Sequence, residues 1–197
     1  MAVIWGLDLH EIQWSKFKGS YMWNNVYHLR RTKFVVYQCA MILCVFSESF
    51  GTAALSDYVD EQRFLQKQQS NAYEYNNDYI GIASFNIFAG VFVATIFGAA
   101  FFFDLFWPER HESKSVRLAW KICAVLGCIM ALASGLAMTI IVARRSAYVT
   151  GIGAGEALRL LQQWPKYNEA PLTYRHNARA VTGVVFIWPG WIAVIAR

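Results

Sequence analysis

Charge is the first thing this sequence lacks. Asp, Glu, Lys and Arg together occupy 16% of the 197 positions, while 56% are apolar and 16% aromatic. Soluble domains usually carry about 25% charged residues, so these shares exclude an ordinary soluble fold and place the chain among integral membrane proteins. Cysteine is sparse and absent from the loops: Cys39 and Cys44 fall in one apolar run, Cys123 and Cys128 in another. That excludes a disulfide framework and leaves the thiols as small packing residues, and their CxxxxC spacing lacks the CxxC geometry of thiol redox enzymes. Histidine is missing from the apolar runs altogether. His10, His28, His111 and His176 stand singly in polar stretches, which rules out facing haem ligands and the clustered ligands of zinc or di-iron enzymes.

Other absences narrow the reading further. No Gly-rich phosphate loop, nucleophile elbow or HExxH occurs, so no catalytic, metal or cofactor residue is expected, and structural lipids are the only expected ligands. No Asn-x-Ser/Thr sequon is present, which excludes N-glycosylation. The net charge of +5 is not gathered in one domain or tail but flanks the apolar runs. It reads as a topology and headgroup signal, not as a nucleic-acid surface.

What is present is a series of long apolar runs. Tyr79 to Phe103 contains twenty-five residues without a charge; as a helix it covers about 37 Å, against the roughly 30 Å hydrocarbon core of a bilayer. Gly90, Ala94 and Gly98 recur along it at every fourth position, and Gly127, Ala131 and Gly135 repeat the pattern in the charge-free run Ile122 to Ala143. Small residues at that spacing let helix backbones approach closely in lipid. The expectation is that these two stripes pack on each other.

The chain then divides as follows: an N-terminal cytoplasmic or interfacial segment (1–33), a first span (34–55), an outer loop (56–78), a second span (79–106), an inner loop (107–117), a third span (118–143), a long outer loop (144–179) and a fourth span (180–197) kinked at Pro189. In the first segment Asp8 and Glu11 have capping-box form, with Leu9, Ile12 and Trp5 on one face of a short interfacial helix. Lys16, Lys18, Arg30, Arg31 and Lys33 alternate with aromatic residues, as befits contact with anionic headgroups; packing of this tail on the protein's own loops is the alternative. A cleaved signal peptide ending near Ala53 and Ala54 is excluded by the long aromatic lead-in. The long outer loop holds GEALRLLQQWP, a short amphipathic helix with Leu158, Leu161 and Trp164 on one side. Pro189 and Gly190 leave a re-entrant hairpin as the alternative for the last run.

Basic residues number ten on the side of the N-terminus, counting Arg197, and eight on the other, and the first loop is net acidic. The expectation is that both termini are cytoplasmic, in the plasma membrane or another endomembrane. Glu48 is the one acidic residue well inside a span, and an intramembrane carboxylate is a functional candidate; pairing with Arg144 or Arg145 is its structural reading, and Asp104 with Lys121 a second such pair.

Four spans, cytoplasmic termini, a tight inner turn and two outer loops resemble the tetraspan group: MARVEL-type, claudin-like and fungal eisosome-associated membrane proteins, and tetraspanins. The claudin-like W-GLW-C-C signature is missing from 56–78, and the CCG motif and loop cysteines of tetraspanins from 144–179, so the likeness is to MARVEL-like architecture. It implies an all-α integral membrane four-helix bundle. The functional expectation is a non-catalytic scaffold or accessory subunit that assembles with itself or with a larger membrane protein through the small-residue faces. An oligomeric channel or small transporter with Glu48, Gln38 and Asn86 along the pathway is the alternative.

Overall fold

The computed structural model describes residues 3–4, 7–24, 26–27, 29–165 and 169–196. Trp5, His28 and Arg197, named above, lie outside them. The chain is mostly helical (76%), with four helices long and apolar enough to cross a membrane: α2 (Arg30–Gln68), α3 (Asn77–Phe106), α4 (Lys114–Arg144) and α6 (Ala178–Ile195). They pack in the cyclic order α2, α3, α4, α6, so α2 and α4 face each other across the diagonal. The short elements are strands β1 (Val3–Ile4) and β2 (Leu7–Asp8), helix α1 (Gly19–Met22), strands β3 (Tyr73–Tyr75) and β4 (Tyr148–Thr150), and helix α5 (Ala154–Gln162).

The first span does not stop at residue 55. Helix α2 runs 39 residues, about 58 Å at 1.5 Å per residue and nearly twice a bilayer core. The reason is a repeat that ignores the change from apolar to polar composition. Tyr37, Ala40, Cys44, Ser47, Gly51, Ala54, Tyr58, Glu61 and Leu65 are all buried and alternate three and four residues apart, the seam that keeps one helix face against its neighbours. Half of the expected outer loop is therefore a helical extension.

The small-residue stripes of α3 and α4 do not meet. A Cβ on Gly90 would collide with the Glu48 carboxyl, and one on Gly98 would lie 3.1 Å from the Met41 sulfur, both on α2. Gly127 faces Phe92 and Val93 of α3, Gly135 faces Ile187 of α6, and Ala131 is buried while Ala94 is only half-buried. A helix with two neighbours a quarter-turn of the bundle apart divides its small residues between them. The closest approach lies elsewhere, between α2 and α6, where Gly183 meets the Ser47 carbonyl and Gly190 the Cys44 backbone at 3.2 and 3.3 Å from their would-be Cβ atoms. Helix α6 is continuous through Pro189, so the hairpin alternative is not formed.

At one end, here the turn end, α3 and α4 are joined by a short connection against which the N-terminal segment packs. Asp8 caps a single 3₁₀ turn (Leu9–Glu11) by accepting from the His10 N–H at 2.9 Å, not the interfacial helix expected. At the sheet end β3 and β4 pair antiparallel, Glu74 opposite Val149, and tie the α2–α3 connection to the α4–α6 connection. Helix α5 lies over the extension of α2. It turns Ala157, Leu161 and Trp164 inward and leaves Leu158 exposed, correcting the expected face by one position. Just after β4, Gly151 has φ +86°, and a side chain there would be driven into the Asn71 carbonyl. Gly151→Ala is expected to cost about 1–3 kcal/mol of local stability, read as faster amide exchange confined to β3 and β4; unchanged protection there would refute the account.

Candidate functional site

Three places concentrate polar chemistry. The first is a hydrogen-bonded chain through the centre of the bundle. Ser134 of α4 donates to Asn86 Oδ1 at 2.8 Å, Asn86 Nδ2 of α3 donates to Ser47 Oγ at 3.2 Å, and Ser47 of α2 donates to the Gly183 carbonyl of α6 at 2.8 Å. All three side chains are at most 1% exposed. In an apolar surrounding an unpaired amide is costly, so Asn86 holds the bundle in one register. Its oxygen and its nitrogen each bond to a hydroxyl on a neighbouring helix.

The second place is Glu48. Its side chain lies in the notch left by the missing side chain of Gly90, and Oε2 is buried without a hydrogen-bond partner. Among the described residues neither Arg144 nor Arg145 forms an ion pair with it, and both are exposed at the sheet end. The physical reason is the diagonal: α4 packs on α3 and α6, whereas Glu48 looks toward α3. Around it the outer face of α2 and α3 presents Val45, Phe88 and Val91, each at least 38% exposed. The pair expected with Arg144 or Arg145 is not formed, because no linear signal fixes which neighbour α2 has.

The third place is the sheet end. Tyr58, Tyr79 and Tyr174 are fully buried with ring centroids 5.2–5.5 Å apart; Tyr58 meets each of the other two edge-to-face, contacts that add to their burial, and Tyr79 and Tyr174 are tilted by 36°. Tyr58 donates to the Pro171 carbonyl at 3.0 Å, Tyr174 donates to Asp78 at 2.7 Å, and Asn177 donates to the Tyr58 hydroxyl while capping α6 at the Ala180 N–H. Asp57, 3% exposed, is neutralised by Arg179, which also reaches Glu169 at 3.4 Å. Beside them Glu61 has both carboxyl oxygens buried and unpartnered; Glu74 Oε1 accepts from Asn76 at 3.3 Å, but its Oε2 is likewise alone. Burial pushes the Glu74 carboxyl well above the usual carboxylate range, against a smaller downward pull from Asn76. None of these residues was singled out from the sequence, although Glu61 sits on the seven-residue seam that would have marked it as buried.

The basic residues assigned to headgroups separate into two sets. Lys16 is 9% exposed, donates to the Phe106 carbonyl at 2.8 Å and pairs with Glu11. Arg30 is 4% exposed and lies over the rings of Tyr21, Tyr27 and Phe34 at 4.7–5.0 Å, a buried cation held by aromatic faces. Both hold the tail to the bundle, as do Trp107 donating to the Asp8 carbonyl and Tyr27 to Glu109. Lys18, Arg31 and Lys33 remain exposed, with Arg31 also donating to the Trp23 carbonyl. Asp104 pairs with Arg110 at 2.9 Å, not with Lys121. The four cysteines are free, and among the described residues no three His, Cys, Asp or Glu side chains group as metal ligands. Comparison of the chain with family models, with curated proteins and with solved structures gives no match in any of the three.

Two outcomes follow. Asn86→Leu strips the central chain of its middle member and is expected to cost about 1–2 kcal/mol, from roughly 0.6 kcal/mol and at most about 1.7 per intramembrane hydrogen bond; a lowered unfolding midpoint in detergent checks it. For Glu74 the fold favours the protonated carboxyl, so its contribution to stability is complete below the ordinary value of 4.5 and is lost as pH rises through the raised one. Amide protection of β3 and β4 should therefore fall between about pH 5 and about pH 8, and Glu74→Gln should flatten that dependence. The groups facing this carboxyl are Glu61 of α2, Asn76, Tyr58 and Tyr174.

Proposed function

We propose that the chain is a non-catalytic, multi-pass accessory subunit or scaffold that assembles with a larger membrane protein, both of its ends lying in the cytoplasm. The observation that carries this reading is Glu48: a carboxyl in the apolar part of a span, with one oxygen buried and unpartnered, on a face of exposed apolar side chains. A carboxylate in hydrocarbon is retained where it meets a cationic partner. A basic residue on the membrane helix of another protein is the complement that the described residues do not supply. The small-residue stripes are no longer the contact surface in this reading, since they are consumed by packing within the chain. The joined outer loops and the tail packed on the turn end agree with a rigid body that docks as a unit.

Extraction from the native membrane in mild detergent, followed by mass measurement, is expected to give a particle well above the 22.5 kDa of the chain. Glu48→Gln is expected to release the companion with affinity lowered on the order of tenfold or more, as for a desolvated charge pair; a strictly monomeric wild-type particle would sink the proposal. The same unpartnered carboxyl supports a second reading, in which several copies surround a pathway for cations or protons. Under that reading Glu48→Gln alters flux in reconstituted vesicles, and permeability equal to that of empty vesicles for both proteins removes it.

A further inference from the structure

Three basic residues on α4 have no carboxylate to answer them. Lys114, Arg117 and Lys121 follow one another at intervals of three and four, which places them on one helix face, and all three are exposed. Of the acidic side chains that precede them, Asp104 and Glu112 both pair with Arg110, at 2.9 and 2.7 Å, and Glu109 accepts from the Tyr27 hydroxyl. None of the three takes part in an ion pair among the described residues. Together with Leu118 they line a recess of about 400 Å³.

Lys121 also lines a second, larger space. Below it a groove of about 470 Å³ runs between α4 and α6, walled by Trp120, Ala124, Val125, Cys128, Val194 and Ile195. Apart from Lys121 its lining is apolar or weakly polar. One side chain thus joins a recess that attracts negative charge to a trough that takes hydrocarbon. The trough starts about one turn of α4 deeper than the recess, the arrangement of an anionic head and an acyl chain.

We propose that this surface binds an anionic phospholipid, its phosphate among Lys114, Arg117 and Lys121 and an acyl chain in the groove between α4 and α6. Basic side chains at a membrane surface each add to the attraction for anionic lipid. A soluble anion would use the recess but leave the groove unused, and a zwitterionic lipid would use the groove but gain little from the basic ladder. The proposal does not depend on Glu48, which lies on another face of the bundle.

The test uses the full chain in neutral detergent, with phosphatidylglycerol and phosphatidylcholine as probes, read by native mass spectrometry and by the shift of the thermal unfolding midpoint. Phosphatidylglycerol is expected to be retained and to raise the midpoint; phosphatidylcholine should be held on the order of a hundredfold more weakly, as three basic contacts imply. The Lys114→Gln, Arg117→Gln, Lys121→Gln triple variant should lose that preference without losing its fold, since these side chains are exposed. Ala124→Trp, which fills the groove, should weaken both lipids. Equal retention of the two lipids by wild type overturns the proposal. So does displacement of phosphatidylglycerol by inorganic phosphate alone, which would mark a soluble-anion site, or unchanged lipid binding in both variants.

Discussion

The arrangement of this protein depends on the amide of Asn86. Its oxygen and its nitrogen are satisfied by hydroxyls on two other helices, and Ser47 carries the chain on to the backbone of a fourth. In a bundle surrounded by apolar solvent, helix faces of similar hydrophobicity gain little by choosing one neighbour over another, and it is polar groups and close backbone contact that discriminate. A rotation of any one helix would leave a buried polar group unpaired. The cyclic order of the four helices, and with it the diagonal that separates Glu48 from Arg144 and Arg145, follows from this constraint.

The two ends of the bundle are built on different principles. The sheet end is an assembly of buried tyrosines, a neutralised Asp57 and a two-stranded sheet that fastens the α2–α3 connection to the α4–α6 connection. It contains two buried carboxyls without full partners, Glu61 and Glu74. The turn end spends Lys16 and Arg30 on internal contacts and leaves Lys114, Arg117 and Lys121 outward. Lys16 and Arg30 hold the tail to the bundle, while Lys18, Arg31 and Lys33 stay exposed beside it. What sets α4 apart is that its three exposed cations share one helix face next to an apolar groove.

Much of this was legible in the linear chain, and the particular residues show why. Four apolar runs announced four helices, because length and lack of charge are local properties. Glu48 stood out for the same reason. The seven-residue seam from Tyr37 to Leu65 was also written in the sequence, but its polar second half disguised a helix as a loop: Asp57 and Glu61 are buried along the seam, while Arg63 and Lys67 between and after its members face outward. Gly151, by contrast, becomes informative only beside the Asn71 carbonyl that it must clear.

What residue order alone determined is the number of long apolar helices and the presence of one carboxyl, Glu48, within an apolar run. Which faces meet was decided by the tertiary structure. Gly90 and Gly98 turn to α2, Gly135 turns to α6, and Gly183 and Gly190 of α6, seven residues apart, meet the α2 backbone at Ser47, Gly51 and Cys44. Periodicity tells that a helix has a bare side, but the choice of neighbour rests on pairing buried polar groups that lie 39 to 136 residues apart in the chain, and no local pattern encodes that.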